Sequence, residues 1–204
     1  MFFEGNDLGD VIWYRYAIRH QPSFRQAFVK RSFTRSAVRE VKWILSGPAK
    51  RSGVEHSGLI PMLNGKSRTM YLIYRSGPFT KDDLSALDET ALTLATAQQL
   101  CAAQGARLVF VFVPEKFRVF HAFCQFPQKS EWRNWVLNDM PERLRGALAS
   151  VSSEIGYLDL TPDLVDAVKI GVLPYYPDDE HWTPEGHQIA AAAIDDYLLS
   201  TQSR

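Results

Sequence analysis

Along this chain, apolar residues either recur every three to four residues or stand together in short continuous runs. This pattern predicts alternating helices and strands. A spacing of three to four residues runs from Asp7 to Arg19 and again from about Ser23 to Leu45, which predicts two or three helices. A longer helix is predicted after Thr80, a residue suited to cap it, and Gly105 is placed to end it. Its apolar stripe would consist of Leu84, Leu87, Ala91, Leu94 and Cys101.

A continuous apolar run, Leu108 to Val113, follows that helix directly and is typical of a strand covered on both faces. The alternation then repeats, with a helix over 140–153, a short strand over 156–160, a helix from Thr161 and a last helix from Pro184, capped by Thr183. We therefore predict a three-layer α/β/α fold with a mostly parallel central sheet. The carboxyl ends of its strands are where a ligand site is expected.

One segment departs from this alternation and predicts a small β-hairpin insertion, over residues 46–78. It is rich in Gly, Ser and Pro, and Gly58–Met62 can pair with Met70–Tyr74 through a turn at Asn64-Gly65. Apart from this insertion, we expect residues 1–204 to form a single domain.

Composition and charge narrow the possible partners. Lys+Arg and Asp+Glu number 23 each, so a net charge of zero gives no reason to expect nucleic acid or an anionic membrane. The two cysteines provide neither a disulfide framework nor a zinc site, and no apolar run is long enough to span a bilayer. We predict no cofactor, no nucleic-acid partner and no membrane segment in this chain; the cellular compartment stays open.

The strongest chemical signal is the run from Asp178 to His187, Asp-Asp-Glu-His-Trp-Thr-Pro-Glu-Gly-His. It places His181 just behind two aspartates and ahead of a helix start, as expected for a general base with an orienting acid. A metal site built from these aspartates and histidines matches no zinc spacing, so none is predicted.

Together with Gly5-Asn6-Asp7 after a first short strand, this block resembles the SGNH (GDSL-like) hydrolase superfamily, in the same order along the chain. The segment from Val113 to Phe120 is also similar to that of the alginate-type acetyltransferases. The resemblance implies a flavodoxin-like fold and acyl-ester chemistry on a small-molecule or carbohydrate ester. It also implies that Asn6, with Gly5, stabilises the oxyanion.

By the same resemblance His181 is the catalytic base, but its acid partner can be read in two ways. Most of the superfamily places the acid three residues before the histidine, which selects Asp178. Members with His-Trp here usually show Asp-x-His, which selects Asp179, and this second alignment is the one we favour.

The nucleophilic serine of the family has no counterpart here, because no Gly-Asp-Ser occurs and only four residues precede Gly5. We therefore expect this chain to be the C-terminal part of an SGNH protein, without its first strand, helix and second strand. Two functions stay open. One is an SGNH-type ester hydrolase or O-acyltransferase whose serine lies upstream, and the other is an inactive fragment or non-enzymatic binding module that retains the fold.

Overall fold

A computed structural model of the chain describes residues 1–5, 7–19, 57–63, 65–72 and 76–202. In chain order the elements are β1 (Phe2–Phe3), α1 (Asp7–Arg19), β2 (Ser57–Pro61), β3 (Ser67–Tyr71), α2 (Lys81–Ala102), β4 (Val109–Val113), α3 (Lys116–Phe120), α4 (Met140–Val151), β5 (Gly156–Asp159), α5 (Thr161–Lys169) and α6 (Pro184–Gln202). A short 3-10 helix, Glu131–Asn134, precedes α4.

Strands β1, β4 and β5 form a parallel sheet in the order β1-β4-β5, with β4 in the centre. Side chains alternate across β4: Phe110 and Phe112 pack into one core beneath α2 and α4, whereas Val111 and Val113 pack into a second core beneath α5 and α6. The predicted α/β fold with a mostly parallel sheet is therefore confirmed, and its helices lie on both faces of the sheet.

The predicted start of the long helix is confirmed, and its cause is a capping box. The Thr80 hydroxyl accepts from the backbone N–H of Asp83 at 3.2 Å, and the Asp83 carboxylate accepts from the backbone N–H of Thr80 at 2.7 Å. The prediction of the apolar stripe is partly wrong, because Leu84 is 39% exposed. The residues that α2 buries are Ala86, Leu87, Ala91 and Gln98.

The predicted hairpin is present as the antiparallel pair β2 and β3. Its second strand covers residues 67–71 and so begins three residues earlier than predicted. Gly65 in the turn has a φ of +75°, a value that glycine adopts without strain. Met70 and Ile60 bury their side chains in the core beneath α5 and α6, so the hairpin packs against the domain.

Several expectations fall on residues outside the described ranges, namely Asn6, Asn64 of the hairpin turn and the helices expected between 23 and 45. Among the described residues, no helix combines the length and the apolar character needed to cross a bilayer.

Candidate active site

A cleft of about 490 Å³ opens beyond the carboxyl ends of β1 and β4, where three segments of the chain meet. Its walls come from the start of the chain and α1, from the end of β4, and from the segment that precedes and begins α6. The lining residues are Met1, Phe3, Asp7, Val113, Tyr175, Glu180, His181, Trp182 and His187. This is the edge of the sheet at which the sequence predicts a site.

The loop that carries His181 folds back on itself like a short hairpin. Tyr175 and Trp182 face each other in an antiparallel bridge, and the backbone N–H of Tyr176 donates to the His181 carbonyl at 3.1 Å. Residues 177–180 therefore form the tip of this hairpin, which we call the acidic tip because it contains Asp178, Asp179 and Glu180.

The base of this hairpin is held against the start of α6. Thr183 donates its backbone N–H to the Pro174 carbonyl at 3.0 Å, and its hydroxyl accepts from the backbone N–H of Gly186 at 3.2 Å. The predicted Thr183 cap is thus confirmed. Gly186 must lack a side chain, because a Cβ there would lie 2.1 Å from the Pro174 carbonyl oxygen.

His181 and Asp179 form a hydrogen-bonded pair. Asp179 Oδ1 contacts His181 Nδ1, and the same oxygen accepts from the backbone N–H of His181 at 2.9 Å. These two interactions hold the pKa of the Asp179 carboxyl below its usual range. The His181 side chain is 84% exposed, and among the described residues nothing hydrogen-bonds its Nε2 atom, which leaves that nitrogen free to contact a ligand in the cleft.

The other candidate residues lie elsewhere or beyond the described chain. Asp178 is exposed, and within the described ranges it makes no hydrogen bond to His181. Gly5 lines a second cavity of about 330 Å³ and not the cleft around His181, and Asn6 is outside the described residues. His187 lines the cleft and packs edge-on against Trp182, with ring centroids 5.3 Å apart.

No serine of the described ranges lines the cleft around His181. Among the serines that precede a glycine, Ser57 lies in β2 and Ser76 lines the second cavity, while Ser46 and Ser52 fall outside the described ranges. Within the described structure, therefore, the Asp179–His181 pair has no nucleophile in contact with it.

The second cavity reveals a buried charged cluster that sequence reasoning missed. Arg118 donates to both carboxylate oxygens of Glu4 through Nε, at 2.9 and 2.8 Å, and Ser76 Oγ lies 2.7 Å from Glu4 and 2.6 Å from Glu115. Arg118 also donates to the backbone and side-chain oxygens of Asn138, at 3.0 and 2.7 Å. The cluster thus joins the ends of β1 and β4 to the loops before α2 and α4.

The geometry of this cluster favours one protonated carboxyl group. Ser76 has a single hydroxyl hydrogen, which can form a well-aligned hydrogen bond to only one carboxylate at a time. Glu4 is paired with Arg118, so both short contacts of Ser76 are satisfied when its hydroxyl donates to Glu4 and accepts from a protonated Glu115. Burial, reinforced by the charge of Glu4, raises the pKa of Glu115 to about 8, in agreement with this assignment. A local motif could not have revealed this cluster, since its hydrogen-bonded partners lie 20 to 114 residues apart.

A parallel α/β sheet with an aspartate–histidine pair beyond its strand ends is an arrangement found in hydrolytic and acyl-transfer domains. Residues 73–203 match the family model of the SGNH hydrolase-like domain of the acetyltransferase AlgX. This match covers more than half of the chain, so the protein belongs to that SGNH hydrolase-like family, and the resemblance seen in the sequence is confirmed.

Among solved structures, the O-acetyltransferase domain of Pseudomonas putida AlgJ is similar to this chain, with 19% sequence identity and a TM-score of 0.49. The similarity covers 72% of this chain and 49% of the AlgJ structure, so the chain spans about half the length of that relative. The comparison with curated proteins gives no significant match.

Proposed function

We propose that this chain is part of an O-acyltransferase or ester hydrolase in which His181 is the general base and Asp179 orients it. The observation that supports this most directly is the contact between Asp179 Oδ1 and His181 Nδ1 at the rim of the cleft. A carboxylate on Nδ1 fixes the tautomer in which Nε2 can accept a proton, and it stabilises the imidazolium that then forms.

In this proposal a serine hydroxyl attacks the carbonyl carbon of an acyl ester while His181 Nε2 takes the hydroxyl proton. The tetrahedral oxyanion is stabilised by the side-chain amide of Asn6 and by backbone N–H groups that include Gly5; each such donor is typically worth about 10²–10³ in rate. His181 then returns the proton to the departing alcohol, leaving an acyl-serine. Water or a second hydroxyl group accepts the acyl group and regenerates the serine.

The proposed substrate is a small acyl ester, with a carbohydrate hydroxyl as acceptor if the protein is a transferase. The family is named for an acetyltransferase, and the cleft of about 490 Å³ has room for an acyl group and a sugar ring. Phe3, Val113 and Trp182 offer apolar surface to the acyl chain, whereas Asp7 and Glu180 can accept hydrogen bonds from hydroxyl groups.

The nucleophile in this proposal comes from outside the described residues, on a segment that reaches the cleft near His181. The test compares hydrolysis of p-nitrophenyl acetate by this chain with that by a protein extended with the coding sequence upstream of Met1. We expect activity in the extended protein only. Activity of this chain alone would instead direct the search for the serine to its own undescribed segments.

Within the active form, His181→Ala should lower kcat at least about 10³-fold, as loss of a catalytic histidine does. A matched control is His121→Gln, because His121 Nε2 contacts the Trp132 carbonyl at 2.9 Å and His121 does not line the cleft. Unchanged activity in His181→Ala would refute the proposal. If neither protein has activity and both bind a carbohydrate ester, the chain is a binding module instead.

A further inference from the structure

Lys116, the first residue of α3, is completely buried beneath the acidic tip. Its ammonium group donates hydrogen bonds to the backbone carbonyls of Pro177 and Asp179, each at 3.0 Å, and lies 3.9 Å from the Glu180 carboxylate. A lysine is rarely buried unless it is paired, because removing an ammonium group from water is costly. The burial and the hydrogen bonds of this ammonium group therefore indicate that Lys116 has a specific role at the acidic tip.

The contacts of Lys116 fall inside the tip, whereas the contact between Asp179 and His181 is on its outside. The carbonyl of Asp179 turns inward to the ammonium group, and its carboxylate turns outward to His181 Nδ1. Fixing the carbonyl restricts the backbone rotation that would swing the carboxylate away. The backbone N–H of Tyr71 also donates to the Pro177 carbonyl, at 2.7 Å, so β3 helps to hold the same tip.

The charges of the acidic tip also indicate that Lys116 holds it in place. The tip contains three consecutive carboxylates, which repel one another, and Lys116 is the cation placed beneath them. Burial lowers the pKa of Lys116, while Glu180, Asp178 and Asp179, in that order of strength, oppose this effect.

We propose that Lys116 is the positioning residue of the catalytic pair: its ammonium group holds the acidic tip in the conformation in which the Asp179 carboxylate contacts His181. This rests on the proposed function for its catalytic meaning. Its structural part can be tested without any activity.

The first test is the pKa of the Asp179 carboxyl, measured by NMR in the wild type and in Lys116→Met, which keeps the apolar stem and removes the charge. The low pKa of Asp179 comes chiefly from the backbone N–H and ring of His181. A rise toward the ordinary value of about 3.9 would therefore mainly report loss of the contact with His181. The matched control is Lys169→Met, which removes an exposed lysine paired with Asp166 and should leave the pKa of Asp179 unchanged.

Amide hydrogen exchange separates a local effect from general destabilisation. In Lys116→Met, the amides of Tyr176 and His181, which bond within the loop, should exchange at least about tenfold faster. The amide of Leu160, which donates to Phe112 at the sheet end, should change much less. An Asp179 pKa that stays low, or equal acceleration at all three amides, would overturn the proposal.

If Lys116→Met does not fold, the wild-type protein decides the question. The ammonium protons of Lys116 should be visible by ¹⁵N NMR at neutral pH and exchange much more slowly than those of the exposed Lys169. Exchange as fast as that of Lys169 would show that the ammonium group is not held, and would refute the assignment.

In the catalytically active form, Lys116→Met should lower kcat about 10–100-fold with KM nearly unchanged, because a misplaced base slows the chemical step without removing substrate contacts. If His181→Ala turns out to be fully active, the proposed function fails. The effect of Lys116 on the pKa of Asp179 would still stand, so the two failures are distinguishable.

Discussion

Replacing Glu115 with glutamine should make the stability of the protein less dependent on pH between about 5 and 8. Glu115 is 2% exposed, and its pKa is raised from an ordinary 4.5 to about 8 by burial and by the neighbouring Glu4. Glutamine has nearly the same shape and carries no charge, and its amide can donate to Ser76 Oγ as the protonated carboxyl does.

The direction in which the free energy of unfolding changes with pH follows from proton binding by Glu115. Between pH 4.5 and 8 the folded protein keeps a proton on Glu115 that the unfolded chain has lost, so the free energy of unfolding falls as the pH rises through this window. At about 1.4 kcal/mol for each pH unit, the full interval corresponds to roughly 5 kcal/mol, an upper limit because Glu4 and Glu115 interact. We expect the difference in stability between Glu115→Gln and wild type to change by at least about 2 kcal/mol across the window, in favour of the variant at high pH.

The assay is urea denaturation at pH 5, 6, 7 and 8 for both proteins, with m-values compared to verify that the unfolding transition is the same. All other titrating groups occur in both proteins, so their contributions largely cancel in the difference. The matched control is Glu154→Gln, because Glu154 is exposed and lies outside the cluster.

A pH dependence in Glu115→Gln that is as steep as in wild type would refute the assignment of the proton to Glu115. The reasoning would also fail if Glu154→Gln flattened the profile equally. A variant that is less stable at every pH, with a flattened profile, would leave the proton assignment intact and show only that the amide fits the cluster poorly.

Two further predictions concern packing and reactivity. Gly186→Ala should lower the free energy of unfolding, measured by urea denaturation, by about 1–3 kcal/mol or more, because its Cβ would lie 2.1 Å from the Pro174 carbonyl oxygen. The matched control Gly146→Ala, in α4 with open space around it, should raise the free energy of unfolding by up to about 1 kcal/mol. Equal effects of the two substitutions would contradict the argument. Burial raises the pKa of the Cys124 thiol to about 12, so a thiol reagent at pH 8 should modify Cys124 only slowly, more slowly than Cys101, and equal rates would count against this.

Much of the fold could be predicted from local pattern. The apolar run of β4, the cap at Thr80 and the Thr183-Pro184 start of α6 each depend on residues close together in sequence, and each is present in the structure. Where prediction failed, the cause was tertiary: Leu84 continues the apolar stripe of α2 but is 39% exposed, whereas Leu87 and Ala91 of the same stripe are buried. The spacing of apolar residues does not show where along a helix the neighbouring elements cover it.

In the candidate site, too, some features follow from local sequence and others only from tertiary structure. Asp179 and His181 are two residues apart, so their contact could be anticipated from the chain alone, although the choice between Asp178 and Asp179 could not be made by spacing. The free His181 Nε2 atom and the cleft beside it depend on three segments of the chain that meet only once the parallel strands are aligned.

The sequence by itself thus determined most of the helices and strands from Thr80 onward, the family and the acidic tip with its histidine, because each can be recognised from short runs of residues. Only the tertiary structure decided which distant charges meet. Glu4, Ser76 and Arg118 are brought together by the sheet and its loops, and Lys116 reaches the Asp179 carbonyl across 63 residues of chain. No periodicity encodes such contacts, since they depend on how the layers pack and on which polar groups must then find partners away from water.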